Sequence, residues 1–344
     1  AGMVGAMLAA GAALVIEYLD DTIKGQEDVE GLTHLPAFAT IGRFPQAKLD
    51  GQGPLVAAEP RSPVAEAYRV LRTNVEFSAL RKEDSAITLL VTSAQPMEGK
   101  TTTVANLGAS LAQSRKRVLL VDADFRRPSL HTYFGLKNKL GLTSLLLYKN
   151  KDPWEAAQRT NISGLRVLTV GHIPINPAEV LGFPETEELF NRLKSLADYV
   201  IVDSPPALSV SDALILAQKV DGVVLVTEAG KTRRDALRRA VEALEAVRAP
   251  LLGVVLNKAT ARHGAYYYDD RYYAEPARHR RQPIESGPVP FPPPRQSLQR
   301  PDHTLQVILA AVRKRGLSTC GPGSLLRRLR SRGESRPAQP PKGT

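Results

Sequence analysis

Cysteine is almost missing from this chain: Cys320 is the only one in 344 residues. No intramolecular disulfide framework is possible, and a reducing compartment fits. The histidines and that cysteine show no zinc-ligand spacing, which removes zinc. A full-length apolar span is lacking too. Residues 1–16 carry no charge, but as a helix they would reach only roughly 24 Å against a ~30 Å hydrocarbon core. No basic segment precedes them, which disfavours a signal peptide. The flanking stretch Glu17–Lys24 is mostly acidic, so no positive-inside signal orients the run. Because the chain opens on Ala, residues 1–19 read as the end of a transmembrane helix, with a buried core helix as the alternative. The formal charge of +11 is not spread over a basic domain. From Ala274 onward fourteen Lys and Arg face four Asp and Glu, leaving the rest close to neutral. A basic tail gives no reason to expect specific nucleic-acid binding.

One further absence marks the most informative segment. Val91-Thr-Ser-Ala94-Gln95-Pro96-Met97-Glu98-Gly99-Lys100-Thr101-Thr102 reads as a strand running through a phosphate-binding loop into a helix, but Ala94 stands where the first loop glycine is usual. In such a loop backbone N–H groups and the helix dipole face phosphate oxygens. Lys100 would reach the β- and γ-phosphates, and the Thr101 hydroxyl would ligate Mg²⁺.

Two apolar strands end in acids. Leu119-Leu-Val-Asp122-Ala-Asp124 carries two carboxylates at i, i+2, and Tyr199-Val-Ile-Val-Asp203-Ser-Pro-Pro carries a third. Short continuous apolar runs suit a parallel sheet buried on both faces, and ligands bind beyond the carboxyl ends of its strands. Phosphoryl transfer needs a metal, a carboxylate to hold it and a group to position the nucleophile. Asp122, Asp124 and Asp203 can fill those roles.

The order Ala94–Thr102, Asp122-x-Asp124-x-Arg126-x-Pro128 and Asp203-Ser-Pro-Pro resembles the bacterial tyrosine kinases, the cytoplasmic kinase domains of polysaccharide co-polymerases in capsule and exopolysaccharide export. The resemblance spans about residues 1–273. It implies Mg-ATP as cofactor, with Lys100 and Thr101 on phosphate and metal, Asp122 as catalytic base, and Asp124 and Asp203 supporting the metal. Thr101, Asp122 and Asp203 are the magnesium candidates. It also implies placement at the inner membrane with the kinase in the cytoplasm, and as partners the polysaccharide polymerisation and export machinery, a tyrosine phosphatase and other copies of the chain. Met97 stands where the family often has glycine. By a wider likeness to P-loop ATPases, Asn257 at the end of the last strand is a base-binding candidate, with a plain turn Asn as the alternative.

Around this core the expected architecture is a P-loop, doubly wound, mostly parallel α/β sheet with helices on both faces. Strands are expected near 87–92, 118–121, 166–170, 199–202, 222–227 and 251–256, and helices near 101–114, 186–197, 210–218 and 232–247. Residues 20–61, rich in Gly and Pro, read as a linker with one short strand at Phe38–Ile41. Ser62-Pro63 signals a helix start, and Val64, Tyr68, Leu71 and Val75 give that helix an apolar stripe. Glu66, Arg69 and Arg72, three apart on it, read either as a solvated charged face or, by resemblance, as a motif for ring assembly. The kinase domain is expected over 62–260.

Tyr266, Tyr267, Tyr268, Tyr272 and Tyr273 crowd into eight residues with Asp269 and Asp270 between them. They read as an exposed phosphoacceptor cluster, each phosphate adding ~1.5–2 negative charges. Residues 274–344, with twelve prolines, read as a low-complexity tail. Two other function classes compete: a partitioning or division-site ATPase of the same superfamily, which Gln95 in place of an early loop lysine and the tyrosine cluster argue against, and a non-catalytic nucleotide-binding scaffold.

Overall fold

The computed structural model describes residues 20–44, 53–79, 86–148 and 152–260, besides isolated positions 3, 5 and 11. Apart from positions 3, 5 and 11, the apolar run 1–19 lies outside the described residues, as do the tyrosine cluster and the tail. Among the described residues no helix is long and apolar enough to cross a membrane.

In chain order the elements are α1 (Gln26–Thr33), β1 (Ala37–Gly42), α2 (Leu55–Ala58), α3 (Pro63–Ala79), β2 (Ile87–Ser93), α4 (Lys100–Gln113), β3 (Val118–Asp122), α5 (Leu130–Tyr133), α6 (Leu142–Leu147), α7 (Pro153–Ala156), β4 (Gln158–Arg159), β5 (Leu165–Leu168), α8 (Pro177–Gly182), α9 (Pro184–Lys194), β6 (Tyr199–Asp203), α10 (Asp212–Ala217), β7 (Gly222–Glu228), α11 (Arg234–Ala246) and β8 (Leu251–Ala259). The sheet order is β1-β8-β7-β2-β6-β3-β5-β4. Every pairing is parallel except β4 with β5.

Alternation along each apolar strand feeds two cores. Leu89, Val91, Leu120, Ile201 and Val224 face α2, α3, α4 and α5, while Leu90, Leu119, Val121, Val200 and Val223 face the remaining helices. That is the doubly wound arrangement expected from uninterrupted apolar strands. β2 sits centrally; β3 lies on one side beyond β6, and β7 and β8 on the other. The chain therefore reverses direction across the sheet at β2, where open α/β sheets hold their ligands.

The stretch read as linker, 20–61, contributes more than its one expected strand. Helix α1 buries only Val29 and Thr33, so its sequence shows little periodicity, yet Val29 joins the core. β1 runs parallel to β8 and is covered by α3. Gly253 lets this happen: a Cβ there would stand 2.5 Å from the Phe38 ring. Asn106 on α4 accepts from the Val56 N–H at 3.0 Å and pins α2. Helix α3 starts as its Ser-Pro pair indicates, the Ser62 hydroxyl accepting from the Ala65 N–H at 3.1 Å. Tyr68, Leu71 and Val75 are fully buried, with Val64 packed beside them.

Candidate active site

Three strand ends meet beneath one loop. β2 delivers Ala94–Gly99, β3 delivers Asp122 and Asp124, and β6 delivers Asp203, which lies directly across from Asp122 in the ladder. Register alone thus places two carboxylates side by side.

The loop is braced from three directions. Glu98 is buried (2% exposed); its Oε2 accepts from the Gln95 N–H at 2.7 Å, and its Oε1 accepts from the Thr232 hydroxyl. Asn257 Nδ2 donates to the Glu98 carbonyl at 2.9 Å, and Lys258 Nζ donates to the Met97 carbonyl. Lys258 also pairs with buried Glu228 at 2.9 Å. Burial raises the Glu98 carboxyl above its ordinary value, with the hydrogen bond from Thr232 opposing. Gly99 takes φ +98°, and a Cβ there would stand 2.1 Å from Asn257 Nδ2. Met97 also adopts positive φ, 68°, with its side chain turned out. That conformation suits glycine best.

Lys100 opens α4 and is nearly buried, and its ammonium makes no hydrogen bond or ion pair among the described residues. The Thr101 hydroxyl donates to Asp203 Oδ2 at 2.6 Å and lies 3.0 Å from Ser129 Oγ. Asp122 is fully buried, its Oδ2 accepting from the Ser129 and Leu130 N–H groups at 3.0 Å each. Burial first, and the charge of Asp203 second, hold its carboxyl well above the ordinary range. Asp124 Oδ1 accepts from the Arg126 and Arg127 N–H groups at 3.2 and 2.9 Å. Asp203 is fully buried, and burial pushes its carboxyl up to about 7 against the Thr101 hydrogen bond and the Lys100 charge. Its Oδ1 has no hydrogen-bond partner among the described residues.

An orphaned buried carboxylate oxygen beside a phosphate-loop hydroxyl fits a cation, because buried polar atoms are otherwise satisfied. Among the described residues no group of three or more His, Cys, Asp or Glu has metal-holding geometry. Mg²⁺ takes one or two carboxylates and fills its other positions with water and phosphate oxygen, a donor set that Asp203 with the Thr101 hydroxyl fits.

Above these groups opens a cavity of 420 Å³. Its lining comes from the loop and the start of α4 (Pro96, Met97, Gly99, Lys100, Thr101 and Thr102), from the segment after β3 (Asp124, Arg126, Arg127 and Ser129), from the segment after β6 (Pro205, Pro206, Ser209 and Val210) and from Lys258. A second cavity of 250 Å³ lies past Gly99 and Thr102, lined by Arg43, Phe44, Glu228, Asn257 and Lys258. Asn257 thus borders the second cavity while its amide is engaged with the loop.

The candidates Lys100, Thr101, Asp122, Asp124 and Asp203 are brought together. Glu66, Arg69 and Arg72 lie away from them on α3 and are occupied within the chain. Arg69 pairs with Glu66 at 2.6 Å, and Arg72 donates to the Ser110 carbonyl at 3.2 Å. The outward face of α3 carries Glu66 and Arg69 with exposed Val70 and Phe77. The candidate acceptors Tyr266–Tyr273 fall outside the described residues. Thr232, Lys258 and Ser129 were not foreseen; each joins the site through contacts distant in sequence. Arg126 was foreseen only as part of the motif: Asp212 holds it bidentately at 3.1 Å.

A family model described as ParA, NUBPL iron-transfer P-loop NTPase, matches residues 85–267. The tyrosine-protein kinase YwqD of Bacillus subtilis is 44% identical over 215 residues, covering 62% of this chain and 90% of YwqD. The chain belongs to the bacterial tyrosine-protein kinases. The kinase is also 32% identical over 265 residues to the tyrosine-protein kinase ptk of Acinetobacter johnsonii, covering 74% of this chain and 35% of ptk. The kinase domain of the Escherichia coli tyrosine kinase ETK superposes with a TM-score of 0.63 at 31% identity, covering 69% of this chain and 94% of that domain. The P-loop NTPase fold implies nucleotide binding.

Proposed function

We propose that the kinase transfers the γ-phosphoryl group of ATP to tyrosines of the cluster Tyr266, Tyr267, Tyr268, Tyr272 and Tyr273, and that this controls polysaccharide polymerisation and export at the inner membrane. The observation that carries the site chemistry is the partnerless Asp203 Oδ1 beside Thr101, at the foot of a phosphate loop. Thr101 and Asp203, with Asp122 alongside, would hold magnesium, which when bound neutralises charge on the phosphoryl oxygens. The Lys100 ammonium and the loop N–H groups bind and orient the phosphate chain. Gln95–Gly99 stays in shape because Glu98, Asn257 and Lys258 hold it. Asp122 takes the phenolic proton as the tyrosine oxygen bonds to the γ-phosphorus. The bond to the β,γ-bridging oxygen breaks, and ADP leaves with that electron pair. Asp122 is suited to this by the Ser129 and Leu130 N–H groups that fix it.

The tether supports a cluster that works at this site. Lys258 lines the cavity, and Tyr266 follows eight residues later, at most about 28 Å extended. Copies of the chain would assemble into a ring through the outward face of α3. Phosphate accumulating on the cluster would loosen that ring by charge repulsion, and a partner tyrosine phosphatase would restore it.

Incubation of the full chain with labelled ATP and Mg²⁺ tests the reading. Phosphotyrosine is expected in the 266–273 peptide and is expected to vanish in Lys100→Met. Label confined to Ser or Thr, or label undiminished in Lys100→Met, would overturn it; nucleotide binding without transfer would leave a scaffold.

A further inference from the structure

The cations around the cavity are not equivalent. Lys258 is committed to Glu228 and the Met97 carbonyl, and Arg126 to Asp212. Lys100 is enclosed at the loop, where the phosphates belong. Arg127 differs from all three. It is exposed, it lines the cavity, and its guanidinium makes no hydrogen bond or ion pair among the described residues. Its position is nevertheless fixed, because its own N–H donates to Asp124 Oδ1 at 2.9 Å. Beside it the wall is formed by Pro205, Pro206 and Val210, an apolar surface of the kind that accommodates an aromatic ring.

The acceptor cluster supplies the complementary chemistry. Within Tyr266–Tyr273 the tyrosines are interrupted by Asp269 and Asp270, one residue beyond Tyr268 and one short of Arg271-Tyr272. A planar guanidinium pairs bidentately with carboxylate. We propose that Arg127 is the acceptor-reading residue of this kinase: it holds Asp269 or Asp270 while a neighbouring tyrosine ring lies on the Pro205–Val210 wall, so that the site selects tyrosines flanked by acidic residues. This rests on the reading of the site as a kinase for its own cluster. Arg127 acts on the acceptor polypeptide and not on the nucleotide, which separates it from Lys100.

The test uses full-length chains in trans. The enzyme chain carries all five cluster tyrosines as Phe, with Arg127 or Arg127→Gln. The acceptor chain carries Lys100→Met, with either the native cluster or Asp269→Asn/Asp270→Asn. Initial rates of acceptor phosphotyrosine are read for the four combinations. Arg127→Gln and the Asn acceptor are each expected to slow the reaction about fivefold, and together to slow it no further, as one exposed charge-assisted pair allows. Arg127→Glu is expected to recover rate with an Asp269→Lys/Asp270→Lys acceptor. Equal slowing of native and Asn acceptors by Arg127→Gln would overturn the proposal, as would an Asn acceptor used as well as the native one. Absence of label on every acceptor would instead overturn the underlying kinase reading.

Discussion

On the loop wall of the cavity, Glu98 holds the Gln95 N–H and the Thr232 hydroxyl, and Asn257 and Lys258 hold the loop carbonyls. Elsewhere in the cavity lining Arg127 makes no side-chain tie among the described residues, and Ser209 stands exposed. The contrast follows the ligands. A triphosphate always presents the same oxygens, so its donors gain from being fixed in advance, where no reorganisation is spent at reaction. An acceptor polypeptide carries several tyrosines in different contexts, and a wall with free groups can take each in turn. Rigidity is placed where the ligand is constant.

The largest expected effect breaks the metal corner beneath both walls. Asp203→Asn should lower tyrosine phosphorylation at least about 100-fold by removing a charged ligand, measured as kcat with saturating Mg-ATP. The same substitution should leave the Tm of the ligand-free chain unchanged or raised, because a fully buried carboxylate with a partnerless oxygen destabilises the fold. A fall in both would mean that Asp203 is structural.

Next comes the loop wall. Thr232→Val removes the hydroxyl from Glu98 and leaves a buried carboxylate oxygen unsatisfied, a loss of about 1–2 kcal/mol at that position. Nucleotide KM should rise about five- to thirtyfold with kcat little changed, and Thr232→Ser should restore it. Steady-state kinetics against ATP decide this. A change in kcat alone would remove Thr232 from the bracing of the loop.

The smallest effect lies at the edge, where Asp28 receives the Lys24 and Gly25 N–H groups and pairs with Arg234. Burial pushes its carboxyl up, but those donors outweigh it and the net shift is downward. A depressed carboxyl stabilises the fold above its unfolded value, near 3.8, and loses that contribution as pH falls through its folded value. Asp28→Asn should therefore lower Tm by a few degrees near neutral pH, about 1 kcal/mol. The difference from the unsubstituted chain should close at strongly acid pH. A pH-independent gap in thermal melts would assign the effect to packing.

Much of this was legible because it is local. The strands at Ile87–Ser93, Val118–Asp122 and Tyr199–Asp203 fall within a residue or two of expectation, since apolar runs bounded by turn residues declare themselves. The acids at their ends follow from the same runs. What stayed hidden is non-local or weakly patterned. Helix α1 places two residues in the core among eight and has little periodicity to read. The bonds from Glu98 to Thr232 and from Arg126 to Asp212 join residues 134 and 86 positions apart, which no spacing rule reaches. Glu66, Arg69 and Arg72 were legible as a helical series, but their spacing did not reveal that Arg72 turns toward Ser110 and away from the face shared by the other two.

The division between the two walls is tested most directly by measuring KM for Mg-ATP and KM for the Lys100→Met acceptor chain, side by side, in Thr232→Val and Arg127→Gln. The account predicts a crossed result: Thr232→Val raises only the nucleotide KM, and Arg127→Gln raises only the acceptor KM. A variant that raises both constants together would contradict it, because the two walls would then act as one.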